Sequence, residues 1–531
     1  MVREGFYVDV LNANPSRRWA AHPVARWLAI LVAIASFAGA GPALAEWKRA
    51  ESPRFIVYSD GSERDLRDYV RKLETFDAFL RGMFGVSPEA PGRKLPVFLL
   101  DGPQAMSRIH PGMRSNVAGY YRPSGEDIYA VSLRHQGDDI LLHEYFHHFS
   151  YQTQAAVGYP AWLIEGLAEY FMTAEIEGDL VKVGSYNRGR VSQLANQTWI
   201  PIDLLVTNHQ NDVRNGQQQA TYYPLAWLLT HWFQSDSARR AQLDAYIAAV
   251  RTGTPSYQAL QTVTGLSAEG LRRELRSYLN TSLKVVGGEV SSAAGDIVVT
   301  RLPRSADDLL LLGQRLKGDL ASEHRAATLE AIQGAAARYP DDLFALRVLA
   351  HAEFKLGDPA LAEATLTRIL ERDPENIDAL LLMARRRMAE AKDAPEQKID
   401  LMGRARAYLA RAHAADPTHY YTLYLLAQSR VAAPGYPNEN DIATWVEAFN
   451  QAPQMPAIRL GLAEAVMRRG EFELAGTLLE PLANAAHRGS AVAYAQRLLV
   501  SARAGQLPED APSTTGAASP VPDATPQQPA A

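Results

Sequence analysis

The chain has 531 residues, of which 47% are hydrophobic and 21% charged, and its formal net charge is −5. This is ordinary globular composition, long enough for roughly two to four domains, and the charge balance gives no sign of nucleic-acid binding. The absence of cysteine excludes disulfides, thiolate metal ligands and a lipid anchor on an N-terminal cysteine.

Residues 1–45 have the pattern of a bacterial export signal. Three arginines precede an apolar stretch at 27–38 (WLAILVAIASFA), and an Ala-x-Ala cleavage site follows at 43–45. The apolar stretch is shorter than a membrane-spanning helix. We therefore expect a mature protein that begins near Glu46 and is exported, in the periplasm or outside the cell. The alternative is an uncleaved segment that anchors the chain to the membrane.

The next segment predicts an alternation of strands and helices. Residues 54–59 and 95–100 have the composition of strands, and residues 62–84 carry apolar side chains at helical spacing. Residues 117–131 predict a hairpin, with a Ser-Gly turn signal near its centre. This order of elements is typical of an α+β domain.

The first candidates for a metal-binding or catalytic role are His143 and Glu144, followed by His147. On a helix the two imidazoles are one turn apart on the same face. That spacing suits two nitrogen ligands of one Zn²⁺. Glu144 lies beside that face, where it could serve as general base toward a metal-activated water. The alternative is a helix whose histidines are only packed or solvated.

A second predicted helix at 160–171 supplies carboxylates close to these histidines. Glu165 has the residue type of a third ligand, and a site with three protein ligands leaves one position open, as catalytic zinc sites do. Glu169 lies one turn further on the same face and could accept the second N–H of a ligating histidine. A closed structural site would need a fourth protein ligand, and His148 points about 100° away on its helix.

His-Glu-x-x-His followed by Trp-Leu-Ile-Glu-Gly-Leu-Ala-Glu-Tyr at 162–170 resembles the glutamate-zincin metallopeptidases. These include thermolysin-like enzymes, zinc aminopeptidases and bacterial peptidase-MA-like domains. The resemblance covers residues 53–285. It implies the following roles: zinc ligands His143, His147 and Glu165, general base Glu144, and Glu169 as the acid that orients the first histidine.

The resemblance also implies two features of the substrate cleft. An edge strand would pair with an extended peptide, and we expect the hairpin at 117–131 to supply it. Tyr223, near the start of a predicted helix at 221–233, would donate a hydrogen bond to the negatively charged oxygen of the tetrahedral intermediate in peptide hydrolysis, the oxyanion. The alternative for Tyr223 is a core aromatic, and His231 is a second candidate more than two turns away. The polar residues 181–219 suggest a rim or lid loop.

The C-terminal part has a different character. Residues 286–304 predict a linker or a short hairpin. Residues 305–505 predict an almost entirely helical region with the pattern of tetratricopeptide repeats, and residues 343–376 fit that pattern best. Such repeats stack into a superhelix whose concave face binds peptides or partner proteins, unless the array is only a packing appendage. Residues 506–531, rich in proline and alanine, predict a disordered tail.

These observations predict an α+β zincin-like domain at 46–285, followed by an all-α tetratricopeptide-type superhelix. The function they favour is an exported zinc-dependent peptidase that acts on a peptide or protein substrate, with a possible protein partner on the repeats. Whether it would cut internally or at chain ends stays open. The alternative, from a different class, is a scaffold that binds protein partners through the repeats while the metallopeptidase fold is inactive.

Overall fold

The computed structural model describes residues 47–507, except 90–91, 115–116, 135, 137, 157, 291–294 and 486–489. The predicted export signal and the predicted disordered tail from residue 508 onward lie outside the described residues. Among the residues described, no helix combines the length and the apolar character needed to cross a bilayer.

A six-stranded mixed sheet is the scaffold of the N-terminal half. In spatial order the strands are β4 (Gly119–Pro123), β5 (Ile128–Leu133), β3 (Leu95–Leu100), β2 (Phe55–Ser59), β1 (Lys48–Glu51) and β9 (Val298–Arg301). Strands β2, β3 and β5 run parallel, and the other neighbours pair antiparallel. The predicted hairpin forms β4 and β5, and β4 is the edge strand on its side, as expected.

Helix α1 (Glu63–Phe84) packs its apolar side against one face of this sheet. Its limits follow from local chemistry. The Ser62 hydroxyl accepts a hydrogen bond from the Asp65 backbone N–H, and Gly85 ends the helix with a φ of 65°, a conformation that glycine adopts without strain. The predicted helix boundaries at 62 and 84 are therefore confirmed.

Further helices and a second sheet, of three strands, complete this half in the described residues. Residues 181–219 were predicted as an irregular rim or lid, but most of them form helices, so the prediction of an irregular segment was wrong. The helix at Ser237–Arg251 was not predicted. The elements are α2 (Pro103–Ile109), α3 (Asp138–Thr153), α4 (Ala161–Phe171), β6 (Glu175–Glu177), β7 (Leu180–Val183), α5 (Arg188–Asn196), α6 (Ile202–Thr207), α7 (Gly216–Ala220), α8 (Tyr222–Gln234), α9 (Ser237–Arg251), α10 (Ser256–Thr264) and α11 (Ala268–Leu279).

The segment predicted as a linker or hairpin at 286–304 is neither. Its first strand, β8 (Val286–Glu289), pairs with β7 in the small sheet. Its second strand, β9, pairs with β1 in the large sheet. Backbone hydrogen bonds to two different sheets hold the segment in place, and a flexible tether is therefore excluded for its paired residues.

The described residues of the C-terminal half form helices joined by turns, and each helix packs against its neighbours in the chain, as the repeat pattern predicts. A short 3₁₀ turn lies at Pro395–Gln397, between two of these helices. The helices are α12 (Ser305–Leu316), α13 (Ser322–Ala336), α14 (Leu343–Leu356), α15 (Pro359–Arg372), α16 (Ile377–Asp393), α17 (Lys398–Ala415), α18 (Tyr420–Gln428), α19 (Glu439–Gln451), α20 (Pro456–Arg468), α21 (Phe472–Ala483) and α22 (Ser490–Arg503).

The first of these helices belongs as much to the sheet as to the repeats. Leu310 and Leu311 of α12 are buried in one cluster with Phe98 and Leu100 of β3, on the face of the sheet opposite α1. The Arg315 guanidinium donates to the Arg108 carbonyl at the end of α2, over 2.6 Å. The two halves therefore share a hydrophobic core and fold as one compact unit.

Candidate metal centre

The three predicted ligands meet between α3 and α4. His143 Nε2 lies 3.2 Å from His147 Nε2. The carboxylate Oε2 of Glu165 lies 3.4 Å from the first of these nitrogens and 3.5 Å from the second. Among the residues described, these three side chains form the one group of histidine and acidic residues close enough to hold a metal ion together.

The spacing of the three atoms fits a tetrahedral zinc site. Zinc binds histidine nitrogen and carboxylate oxygen at about 2.0–2.2 Å, so two ligand atoms at neighbouring corners of the tetrahedron are about 3.3 Å apart. The three observed separations, 3.2, 3.4 and 3.5 Å, lie around this value. Nitrogen and carboxylate oxygen are also ligand types that zinc prefers.

A glycine allows the carboxylate to reach this position. Helix α4 packs against α8, and a Cβ at Gly166 would lie 2.2 Å from the Thr230 hydroxyl and 2.7 Å from the Ala226 carbonyl oxygen. Only glycine fits such a close approach of two helices. Glu165, next to this contact, is 2% exposed and faces α3.

Glu169 lies behind His143 and is held by a residue that the sequence did not reveal. Its Oε1 is 3.4 Å from His143 Nδ1, on the ring side opposite the other two ligands. Arg190 of α5 donates to both Glu169 carboxylate oxygens, over 2.6 and 2.7 Å, and both side chains are almost fully buried. This paired, two-bond geometry fixes the carboxylate that faces His143.

The electrostatics of the centre favour positive charge. Burial alone lowers the pKa of His143, but the hydrogen bond to Glu165 and the charges of Glu169, Glu165 and Glu144 outweigh burial and raise that pKa to about 9. Three carboxylates around one imidazole thus make this pocket attractive to a cation. A proton would compete with a metal ion for the same position.

The two predicted catalytic side chains also lie at the centre. The charge of Glu144 acts on His143 and on Tyr223. The Tyr223 ring stands edge-on to His143 with centroids 6.4 Å apart, and Arg190 lies 5.9 Å from the same ring. Burial, with the charges of Glu165 and Glu169, raises the pKa of Tyr223 well above its usual value, so its hydroxyl remains a hydrogen-bond donor at neutral pH.

The edge strand β4 packs beside the motif helix. The Tyr121 hydroxyl lies 3.2 Å from Nδ1 of His148, the residue that follows His147. Burial, and then the charge of Arg93, lower the pKa of His148 to about 3, so this imidazole is neutral. The structure therefore gives His148 a contact with the edge strand and separates it from the three candidate ligands.

His231, the second candidate for an oxyanion donor, lies elsewhere. Its Nε2 is 3.0 Å from the Gly184 carbonyl oxygen, and its Nδ1 is 2.7 Å from the Tyr278 hydroxyl. Both ring nitrogens are thus engaged in packing α8 against its neighbours. Of the two candidates, the structure brings Tyr223 alone to the centre.

Comparison with known protein families identifies one segment of the C-terminal half. Residues 343–386 match the family model of the tetratricopeptide repeat, and the chain therefore contains such repeats, which commonly bind partner proteins. The match includes the segment that the sequence predicted as the best repeat.

Two individual proteins are also similar to parts of this chain. Cellulose synthase 1 operon protein C of Komagataeibacter xylinus is 28% identical over 189 residues, which are 34% of this chain and 14% of that protein. The chain thus spans a small fraction of that relative. A thermophilic tetratricopeptide repeat protein of Thermus thermophilus is 20% identical and aligns over 37% of this chain and 99% of its own, with a TM-score of 0.32.

Proposed function

We propose that this chain is a zinc-dependent hydrolase of peptide bonds. The observation that carries the proposal is the triangle of His143, His147 and Glu165 atoms with tetrahedral spacing. Three protein donors leave a fourth position for water or substrate, which distinguishes catalytic from structural zinc sites. The resemblance of the two motif helices to glutamate-zincin peptidases supports peptide bonds as the substrate class.

Each polar group at the centre has a role in this chemistry. A zinc ion held there would supply Lewis acidity and lower the pKa of water to about 7. Glu144 takes a proton from the attacking water as the carbon–oxygen bond forms, and delivers it to the leaving amine nitrogen as the carbon–nitrogen bond breaks. Tyr223 donates a hydrogen bond to the oxyanion of the tetrahedral intermediate. Glu169 and Arg190 hold the orientation of His143.

The test is Glu144→Gln in the full chain, measured for zinc content and for cleavage of a mixed peptide library. We expect zinc content to stay at the wild-type level, because Glu144 is not a ligand, while cleavage falls at least 100-fold. An exposed-site control, Glu177→Gln, should retain both. Cleavage by Glu144→Gln at the wild-type rate, or a wild-type chain that cuts no peptide while holding zinc, would refute the proposal.

A second candidate function is a scaffold that binds protein partners through its repeats. The match of residues 343–386 to the tetratricopeptide model supports this candidate directly. The relative from Komagataeibacter xylinus carries the name of an operon protein, not of a hydrolase. Zinc-independent partner binding by wild type and by Glu144→Gln alike, with no cleavage by either, would favour the scaffold.

We place either activity outside the cytoplasm. The export-signal pattern at 1–45 supports this location. Sequencing the N-terminus of the protein recovered from cells would test it, with a start near Glu46 as the expected result. A chain that retains residues 1–45 in the cytoplasmic fraction would contradict it.

A further inference from the structure

The turn between β4 and β5 lies against the repeat helices. The Glu126 carboxylate lies 2.9 Å from His351 Nε2 and 3.4 Å from Lys355 Nζ, both on α14. It also lies 3.0 Å from the Arg385 guanidinium on α16. The Glu126 side chain is 14% exposed, so two different repeat helices enclose the acidic tip of a hairpin that begins at the edge of the sheet.

The next residue of the turn is held as closely. Asp127 accepts hydrogen bonds from Arg93 over 2.7 Å, from Lys317 over 3.2 Å and from the Gln314 amide over 3.3 Å. The Ser124 hydroxyl donates to the Lys317 carbonyl over 2.9 Å. Asp127 is 5% exposed and therefore makes its ion pairs in a nearly dry environment.

These contacts define a basic recognition surface, which we call the repeat groove: Lys317, His351, Lys355 and Arg385. Burial raises the pKa of Glu126, but the charges of His351, Arg385 and Lys355 outweigh burial and hold that pKa well below its usual value. Four basic groups face two carboxylates, so the repeat groove would carry a marked positive charge without the turn. A surface of this kind selects adjacent carboxylates.

Three of the four residues of the repeat groove lie on α14 and α16, each of which packs against the helix that follows it. Tetratricopeptide arrays bind their ligands on an extended concave surface that neighbouring repeats form together. Tyr421, on α18, lies 5.9 Å from Arg385. The turn thus contacts two neighbouring helix pairs at once, as a ligand of such a surface does.

We propose that the repeat groove is a recognition site for an acidic turn, and that its occupant is residues 124–127 of this same chain. Because the turn follows directly on β4, the contacts of the repeat groove with the turn also hold β4 in place. Tyr121 of β4 contacts His148, which lies beside the candidate metal ligands. An external ligand of the repeat groove must carry neighbouring carboxylates and displace the turn. This inference does not depend on zinc or on hydrolysis.

The first test is a charge exchange in the full chain, followed by hydrogen exchange of the amides in β4. Glu126→Lys and Arg385→Glu each place like charges together, and each should speed amide exchange at residues 119–122 at least tenfold. The double variant Glu126→Lys/Arg385→Glu restores an opposite-charge pair and should exchange at least threefold more slowly than either single variant. Glu177→Lys, at the exposed β6–β7 turn, should match wild type.

Two outcomes would overturn the proposal: wild-type exchange in both single variants, or a double variant that exchanges as fast as the singles. If a charge reversal prevents folding, Glu126→Gln/Asp127→Asn keeps the side-chain shape and removes both charges. The probe is then a synthetic peptide of residues 122–128 (RPSGEDI). It should bind this variant at least tenfold more tightly than wild type, and equal binding, or none to either chain, would overturn the proposal.

Discussion

Replacing Glu165 by Gln should remove most of the affinity of this chain for zinc. The site raises the pKa of His143 from 6.5 to about 9, with the hydrogen bond to Glu165 as the largest favourable cause. Glu165 shares that shift with Glu169 and Glu144. Loss of a group that only orients a metal ligand costs about 10–100-fold in metal affinity, so loss of a ligand itself should cost at least the upper end of that range. We therefore expect at least a 100-fold loss of zinc affinity.

The assay is competition between the full chain and a fluorescent chelator for zinc at neutral pH. Glu177→Gln makes the same chemical change at an exposed position and should bind zinc as wild type does. Zinc at 100 times the wild-type dissociation constant should stabilise the wild-type fold by about 2.7 kcal/mol, and the Glu165→Gln fold hardly at all. A zinc affinity for Glu165→Gln within threefold of wild type would refute the assignment of the ligands.

Two further changes test the surroundings of the candidate metal centre, and a third tests the turn between β4 and β5. Arg190→Met leaves the buried Glu169 carboxylate without its cation, so zinc affinity should fall about 10–100-fold in the chelator assay and stability by about 3–5 kcal/mol in urea unfolding. Gly166→Ala places a methyl group against Thr230 and should cost about 1–3 kcal/mol in the same unfolding measurement. Glu126 has a lowered pKa, so its charge stabilises the fold above about pH 4.5 and ceases to do so as the pH falls through the folded-state pKa. The stability advantage of wild type over Glu126→Gln should therefore shrink on acidification below pH 4.5, as measured by urea midpoints.

Matched controls separate these effects from general damage. Arg188→Met changes an exposed arginine of the same helix, α5, and should keep wild-type zinc affinity. Gly82→Ala, in α1, meets no atom within 4 Å and should stabilise the fold by about 0.5–1 kcal/mol. The role of Arg190 would be contradicted by unchanged zinc affinity in Arg190→Met, and the close helix contact by wild-type stability in Gly166→Ala. The effect of Glu126 would be contradicted if the stability difference between wild type and Glu126→Gln did not change with pH.

The elements that depend on local pattern were predictable from the sequence. The motif helix and the helix that bears Glu165 have strong periodicity and fixed spacing, and the structure brings their ligands together as that spacing predicts. The cap at Ser62 and the glycine at 85 fix α1 through interactions within a few residues. Tyr223 is at the centre too, although only the resemblance, and no spacing argument, pointed to it.

Features that depend on distant partners were not predictable. Arg190 lies in a polar stretch with little periodicity; the single local signal was Asn187, whose side chain accepts a hydrogen bond from the Arg190 backbone N–H at the start of α5. Carboxylates in a hairpin turn ordinarily face water, so no local pattern predicted that Glu126 would contact α14 and α16. Strands β8 and β9 have only four residues each, and β8 contains two glycines, so their pairing is set by the sheets that they join.

Strand β9 makes the large sheet dependent on residues that are synthesised late. Its partner β1 lies about 250 residues earlier, and at typical translation rates that separation is roughly 10–50 s of ribosome time. Until β9 emerges, β1 presents an open edge that other extended chains can join. A nascent or truncated chain that stops before residue 298 is therefore expected to need a chaperone, or to aggregate through this edge, even though it already contains the three candidate metal ligands.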